Sequence, residues 1–171
     1  MAGWLTSIPE GDAGVRRTLV AMTILTRFAA LHPTVREVAA DLVNGLASGS
    51  GLPQAEALKY WVGERTRFLP DPVHAEALHD PVMLLTSILH RGSVAVDCDD
   101  VAMLAAALGM SIGLRAQFVA VAFDSPNAPF RHVWTRLGRA HHAPSWVTVD
   151  PTRPAQGLAN MQITRRLIVE V

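Results

Sequence analysis

Apolar residues recur at intervals of three or four through much of the first 112 residues, and this spacing is typical of amphipathic helices. The pattern predicts helices over five stretches, namely 15–31, 33–46, 53–65, 81–90 and 98–112. Serine and glycine dominate the connector 47–52, which is the best candidate boundary in the chain. We therefore predict an N-terminal helical region, residues 1–52, that packs on a core formed by residues 53–171.

Beyond residue 113 the apolar period shortens to two, which is typical of half-buried strands. The predicted strands are 115–123, 130–134, 146–152 and 162–171. The stretch between the second and third of these, 138–144, has the composition of a loop, so the two strands are expected to pair as antiparallel neighbours. His132 and Trp134 would then share one face of the sheet, opposite Val133. Helices followed by strands predict an α+β fold.

Capping residues mark two of the helix starts. Thr34 is the expected N-cap of the second helix, with Glu37 in the capping-box position three residues later. Asp97 is the expected N-cap of helix 98–112, and two more aspartates follow in its first turn, where carboxylates complement the helix dipole. Gly113 is expected to end that helix. The start and end of helix 98–112 are therefore both specified by the sequence.

The single cysteine of the chain, Cys98, lies at the start of this helix. One face of the helix places the sulfur among apolar positions, namely Val101, Ala105, Leu108 and Ile112. One interpretation is that Cys98 simply fills space in the core, because free cysteine is among the most buried residue types. The other is that it is a nucleophile, which needs a histidine oriented by a third group. His132 and Asp150 supply both if they are cross-strand partners on the two paired strands.

Composition limits the class of protein. Half of the residues are hydrophobic and 18% are charged, which excludes a disordered chain. A net charge of zero gives no electrostatic reason to expect a nucleic-acid or anionic-membrane partner. The apolar stretch 18–31 contains Arg27 and is too short to cross a bilayer, and residues 1–14 do not resemble an export signal. With one cysteine and no intramolecular disulfide, we expect a cytoplasmic protein.

The order of these features resembles the transglutaminase-like family of the papain-like cysteine enzymes. The resemblance extends over about residues 60 to 152 and is carried by Cys98-Asp99-Asp100 opening an Ala- and Leu-rich helix, by His132-Val133-Trp134, and by Trp146-Val147-Thr148-Val149-Asp150-Pro151-Thr152. The spacings are its most specific part: Cys98 and His132 are 34 positions apart, and His132 and Asp150 are 18 apart. The stretches 71–81 and 97–100 further resemble small transglutaminase-like proteins of phages and prophages.

The resemblance implies an α+β, papain-like domain in which the Cys98 helix packs on an antiparallel sheet, with extra N-terminal helices. It implies that Cys98 is the nucleophile, that His132 is the general base and later the acid, and that Asp150 holds the imidazole. The expected reaction is acyl transfer on a peptide or protein amide, with hydrolysis favoured over cross-linking. The alternative is a noncatalytic scaffold, such as a virion-associated protein that binds phage structural proteins.

The charges around Cys98 act in opposite directions. The helix N-terminus favours a thiolate, whereas Asp97, Asp99 and Asp100 oppose it. A protonated His132 would be the counter-charge, and the thiol pKa of such an ion pair is expected to lie below its ordinary range. The backbone N–H of Cys98 is a natural oxyanion donor, and the second donor is unassigned. Two aromatic candidates are more simply interpreted as helix residues of the core, namely Tyr60 and Trp61.

We expect neither a metal ion nor a cofactor. Cys98 and the three aspartates beside it, together with His141 and His142, are candidate metal ligands. However, ligands adjacent in one helical turn are not expected all to face one ion, and the sequence has no second cysteine. The remaining histidines are interpreted as surface or capping residues, namely His32, His74, His79 and His90.

Overall fold

The computed structural model describes residues 11–47, 51–71, 77–139 and 145–171. The helices are α1 (Gly11–Ala30), α2 (Pro33–Leu42), α3 (Leu52–Arg65), α4 (Pro81–Arg91), α5 (Cys98–Ser111) and α6 (Thr152–Ala155). The strands are β1 (Thr66–Phe68), β2 (Val94–Val96), β3 (Arg115–Phe123), β4 (His132–Gly138), β5 (Trp146–Val149) and β6 (Ile163–Glu170). The predicted α+β class is confirmed.

Helix α5 lies at the centre of the molecule. Every residue from Asp99 to Gly109 is buried, and α5 packs against α1 to α4 on some sides and against β3 and β4 on another. A helix that is apolar all round must be covered all round, and the Ala-rich sequence of α5 lets its neighbours approach closely. The prediction that this helix packs on an antiparallel sheet is confirmed. Burial extends beyond the apolar face that contains Cys98, because Met103, on the opposite side of α5, is also fully buried.

The predicted N-cap of α5 is confirmed, whereas the C-cap lies one residue before the predicted Gly113. Oδ1 of Asp97 accepts the backbone N–H of Asp100 at 3.4 Å. At the other end Ile112 is the C-cap, and Gly113 follows it with a left-handed φ of 84°. The N–H of Leu114 then donates to the carbonyl of Gly109 at 3.0 Å, and the same carbonyl accepts the N–H of Ile112 at 3.3 Å, so the last turn is closed by hydrogen bonds. The sequence signals therefore fix the position of Cys98 at the first residue of α5.

The main sheet is antiparallel throughout, in the order β5-β4-β3-β6. Its two faces are those predicted. One packs on α5 and includes Val133 and Leu137. The other carries Trp134 and is covered by a second apolar cluster that includes Leu158, from the segment after β5. The strand bearing His132 begins two residues later and ends four residues later than predicted, because Thr135 to Gly138 continue the pairing with β3 and β5.

Several element bounds depend on contacts that the local pattern does not show. Helix α1 begins at Gly11, four residues earlier than predicted, and α2 ends at Leu42. The N-cap of α2 is His32, whose Nδ1 accepts the N–H of Thr34 at 3.3 Å, so the prediction of Thr34 as N-cap is wrong. Pro33 occupies the first helical position, where its missing N–H costs nothing.

The short parallel pair of β1 and β2 was not predicted, because three residues per strand leave no measurable alternation. Helix α4 has apolar residues on its exposed side as well as on its buried side. Leu84, Leu85 and Ile88 are buried, whereas Leu89 is 52% exposed. The segment offers apolar residues in two directions, and packing on α5 decides which direction is buried.

Within the described ranges, no single helix has both the length and the apolar character needed to cross a membrane, and only the pair α1 and α2, bent by 78° at the break between them, passes that test together.

The N-terminal helices pack on the rest of the chain. Helices α1 and α2 both contact α5, and buried residues of the two helices join the main apolar core, among them Leu19, Met22 and Val35. The division of the chain into residues 1–52 and 53–171 stays a prediction.

Candidate active site

A cavity of about 440 Å³ opens at the start of α5. Its walls come from the first half of α1, from the first residues of α5, from the start of β4 and from the segment that follows β5. Both Cys98 and His132 line it. The fold therefore brings two of the three predicted site residues to one cavity, although they are 34 positions apart in the sequence.

His132 and Asp150 form a close pair beside this cavity. Nε2 of His132 lies 2.9 Å from Oδ1 and 3.0 Å from Oδ2 of Asp150, and the imidazole is fully buried. The register of β4 and β5 pairs Thr135 with Val149, and its continuation would set Asp150 opposite Trp134. Asp150 directly follows β5, which ends at Val149 and not at residue 152 as predicted. The two side chains are thus diagonal neighbours and not directly opposite partners.

The segment after β5 folds back and holds the Asp150 carboxylate in place. Oδ1 accepts the backbone N–H of Arg153 at 3.1 Å and the hydroxyl of Thr152 at 3.4 Å. The guanidinium of Arg153 in turn donates to the carbonyl oxygens of Leu158 at 3.1 Å and Met161 at 3.2 Å. This network fixes the position of the carboxylate and, through it, the orientation of the His132 ring.

A second side chain of the same segment reaches the other nitrogen of the ring. Nε2 of Gln156 lies 3.1 Å from Nδ1 of His132, and Gln156 also lines the cavity. Sequence reasoning missed this contact because a glutamine six residues beyond Asp150, in a loop, follows no recognisable pattern. Both nitrogens of His132 are therefore bonded by residues of one short segment.

The environment of Cys98 favours the neutral thiol. Burial raises the pKa of the Cys98 thiol above its ordinary value, and the negative charges of Asp99 and Asp97 raise it further. The backbone N–H groups of Val133 and of Cys98 itself lower the pKa by hydrogen bonding to sulfur, but by less. The expectation of a thiol pKa below the ordinary range is wrong for this structure, because burial and the two carboxylates outweigh the helix N-terminus.

The carboxylates at the start of α5 lie close together. Asp97, Asp99 and Asp100 each offer an oxygen within 4.8 Å of the others, so the expectation that neighbours in one turn would diverge is wrong. Protein groups already bind these oxygens: Asp97 and Asp99 both accept the N–H of Asp100. This pattern is that of a capped helix start. His141 and His142, the other members of the metal site considered above, lie outside the described residues.

His79, interpreted from the sequence as a surface or capping residue, instead binds the buried carboxylate of Asp100. Its Nδ1 lies 2.6 Å from Oδ2, and its backbone N–H donates to Oδ1 at 2.8 Å. Burial raises the pKa of Asp100 to about 7, against the lowering effect of the His79 hydrogen bonds. Burial lowers the pKa of His79, but the hydrogen bond and charge of Asp100 outweigh it, so that pKa is raised as well. The pair ties the chain before α4 to the first turn of α5.

This pair predicts a pH dependence of stability. Both groups have native pKa values above their ordinary ones, so the native state binds more protons than the unfolded state from pH 3.8 to about 7. The stabilisation is therefore present at low pH and is lost as the pH rises through this window. Between about pH 5 and about pH 8, we expect the free energy of unfolding to fall by about 1–3 kcal/mol more in the wild type than in Asp100→Asn.

The asparagine variant is a suitable control because its amide can accept the backbone N–H of His79 and donate to a neutral imidazole. It keeps the shape of the pair and removes the titration of the Asp100 carboxyl. Urea denaturation at several pH values measures the difference. Parallel pH curves for the two proteins would show that the pair does not titrate as described.

Comparison with known proteins identifies the fold. No family model matches the sequence, and no curated protein matches it significantly. The fold is similar to that of a candidate protease from Parabacteroides distasonis, with a TM-score of 0.56 and 12% identity over 88% of this chain. A candidate cysteine protease from Cytophaga hutchinsonii gives a TM-score of 0.46 and 15% identity over 80% of this chain. The chain spans 28% of the first of these proteins and 50% of the second.

The first similarity places the chain in a class of α+β domains that occurs within a larger candidate protease, and this architecture is compatible with the predicted papain-like fold. At 12% identity the similarity concerns the fold alone. Membership of the transglutaminase-like family and of its phage subgroup stays a prediction.

Proposed function

We propose that this protein is a cysteine-dependent acyl-transfer enzyme of the transglutaminase-like type, acting on peptide or protein amides as a peptidase or amidase. Cys98 is the nucleophile, His132 the general base and acid, and Asp150 the group that orients the imidazole. The observation that carries the proposal is the shared cavity: Cys98 and His132 both line it, and Asp150 bonds Nε2 of His132 at 2.9 Å. Nucleophile, base and orienting group are the parts that such catalysis requires.

In the proposed reaction Sγ of Cys98 attacks the carbonyl carbon of the amide, and the thiol proton passes to Nδ1 of His132. The imidazolium gives that proton to the leaving nitrogen, the C–N bond breaks, and a thioester remains on Cys98. Water then attacks the thioester, loses a proton to His132, and releases the acid while the thiol is restored. Asp150 stabilises the imidazolium that forms in each half of the reaction.

Two backbone N–H groups are proposed as the oxyanion donors, those of Cys98 and Val133. Both approach Sγ, the atom next to the developing negative charge. The aromatic candidates Tyr60 and Trp61 are not among the described residues that line the cavity. Tyr60 is 71% exposed, so its interpretation as a core residue is wrong, whereas Trp61 packs on the core as expected.

The raised thiol pKa determines how the nucleophile is activated. A free protein that holds Cys98 as a neutral thiol has no standing thiolate–imidazolium pair, so deprotonation by His132 must accompany the attack. Substrate binding that removes water from the cavity and places a carbonyl near Sγ would couple the two events.

The test is formation of an acyl-enzyme. Treated with p-nitrophenyl acetate, the wild-type protein is expected to gain one acetyl group on Cys98, located by mass spectrometry of the intact and digested chain. Cys98→Ala is the control and is expected to gain no acetyl group at this position. Because the chain contains no other cysteine, no second thiol can be acetylated in its place. Acetylation confined to lysines, or equal in the two proteins, would contradict the proposal.

One observation favours a second function, a noncatalytic scaffold that keeps this fold for binding, as in a virion component that contacts phage structural proteins. The raised pKa of Cys98 is what an unused buried thiol would show. Cys98→Ser separates the two functions. It abolishes acyl transfer in an enzyme and leaves assembly or partner binding intact in a scaffold.

A further inference from the structure

We propose that Gln156 is a positioning residue that holds the free protein in a resting state by capping the nitrogen of His132 that would accept the Cys98 proton. This inference rests on the proposed function. Its basis is the contact of 3.1 Å between Nε2 of Gln156 and Nδ1 of His132, on the wall of the cavity that Cys98 also lines.

The proton arrangement of the ring follows from its partners. Nε2 of His132 faces both oxygens of Asp150, and an ionised carboxylate only accepts hydrogen bonds, so Nε2 carries the proton. A neutral imidazole has one N–H, which leaves a lone pair on Nδ1. A lone pair needs a donor, and the amide NH₂ of Gln156 is the group in reach. The atom that would act as the base is therefore already engaged.

One turn of chain positions both partners of the ring. Asp150 is bonded by the N–H of Arg153, and the N–H of Gln156 donates to the carbonyl of Thr152 at 3.0 Å, at the end of α6. The backbone from Asp150 to Gln156 is thus fixed by its own hydrogen bonds. The Gln156 amide, at the end of three rotatable bonds, can leave Nδ1 while Asp150 stays in place.

The cap defines two states of the same site. With Gln156 on Nδ1, His132 cannot take a proton from the thiol, and Cys98 stays neutral. When an acyl group enters the cavity and displaces the amide, the lone pair becomes available. Reactivity of Cys98 then depends on occupancy of the cavity and not only on the presence of the three site residues.

Alkylation of Cys98 by iodoacetamide tests the cap without a substrate. In this reaction the S–C bond forms, iodide leaves, and the thiol proton passes to Nδ1 of His132. We expect Gln156→Ala to react about three- to tenfold faster than the wild type near neutral pH, because one hydrogen bond no longer competes for the lone pair. Gln156→Leu, which keeps most of the side-chain volume but donates no hydrogen bond, is expected to accelerate the reaction as well. Gln162→Ala, at an exposed glutamine, is the matched control and should react like the wild type.

The dependence on His132 identifies the cause. In Gln156→Ala the faster alkylation should appear as a shift of the pH profile of the rate to lower pH. Adding His132→Ala to this variant should abolish the shift. Three results would contradict the proposal. They are an unchanged alkylation rate in both Gln156 variants, a faster rate in the alanine variant alone, and a faster rate that persists after His132→Ala.

A failure of the Gln156 proposal can be distinguished from a failure of the proposed function. If Cys98 is acetylated by p-nitrophenyl acetate but the Gln156 variants show no faster alkylation, the proposed role of Gln156 is wrong, whereas the proposed function is supported. If Cys98 is acetylated in none of the proteins, the proposed function is wrong, and so is the role of Gln156 that depends on it.

Discussion

Replacing His132 with alanine is expected to slow acyl transfer from p-nitrophenyl acetate by about 10²–10⁴-fold, the range in which a positioned general base contributes. In the proposed mechanism the imidazole takes the thiol proton during attack, and burial together with Asp99 makes that proton hard to remove without a base. The measurement is the release of p-nitrophenol in the first turnover, followed at several pH values.

Two comparisons make the His132 result specific. Added imidazole should restore part of the activity of His132→Ala, since the missing base is returned to the cavity. His90→Ala is the matched control, because His90 is an exposed histidine in the last turn of α4, and it should leave the rate unchanged. If His132→Ala reacts as fast as the wild type, His132 is not the general base.

Replacing Met103 with alanine is expected to lower the free energy of unfolding by about 2–5 kcal/mol, the usual cost of truncating a fully buried methionine. Met103 has no exposed surface, although it lies on the side of α5 opposite the apolar stripe that contains Cys98. If only one side of α5 were buried, the same change would cost little. Urea denaturation monitored by circular dichroism measures the difference.

Two controls accompany the Met103 variant. Met103→Leu keeps the volume and should cost less than about 1.5 kcal/mol. Met83→Ala removes the same side chain from α4, where it is 56% exposed, and should change stability by no more than about 0.5 kcal/mol. Equal losses at Met83 and Met103 would contradict the burial of α5 on all sides.

The parts of the site that could be predicted are those with local causes. Asp97 caps α5 because its side chain can bond an N–H three residues ahead, and this places Cys98 at the helix start. His132 lies at the start of β4 and Asp150 directly after β5, two short segments with clear alternation, so their common sheet could be predicted. The two-residue offset between them could not, since register depends on the whole β4–β5 ladder.

The contacts that sequence reasoning missed join segments whose local patterns are unremarkable. His79 meets Asp100 across 21 positions, and Gln156 meets His132 across 24. The sequence positions of His79 and Gln156 follow no pattern that would predict these contacts. The thiol pKa is a further case, because its direction depends on how deeply the start of α5 is buried, and not only on the neighbouring charges.

The sequence by itself determined the α+β class, the start and end of α5, the antiparallel strands and the three candidate site residues, because capping, periodicity and alternation act over a few residues. Only the tertiary structure decided that α5 is covered on every side, that α1 forms part of the cavity wall, and that Gln156 occupies the free nitrogen of His132. These features arise from packing between segments far apart in the chain, and such packing depends on the shapes and burial of all the elements together.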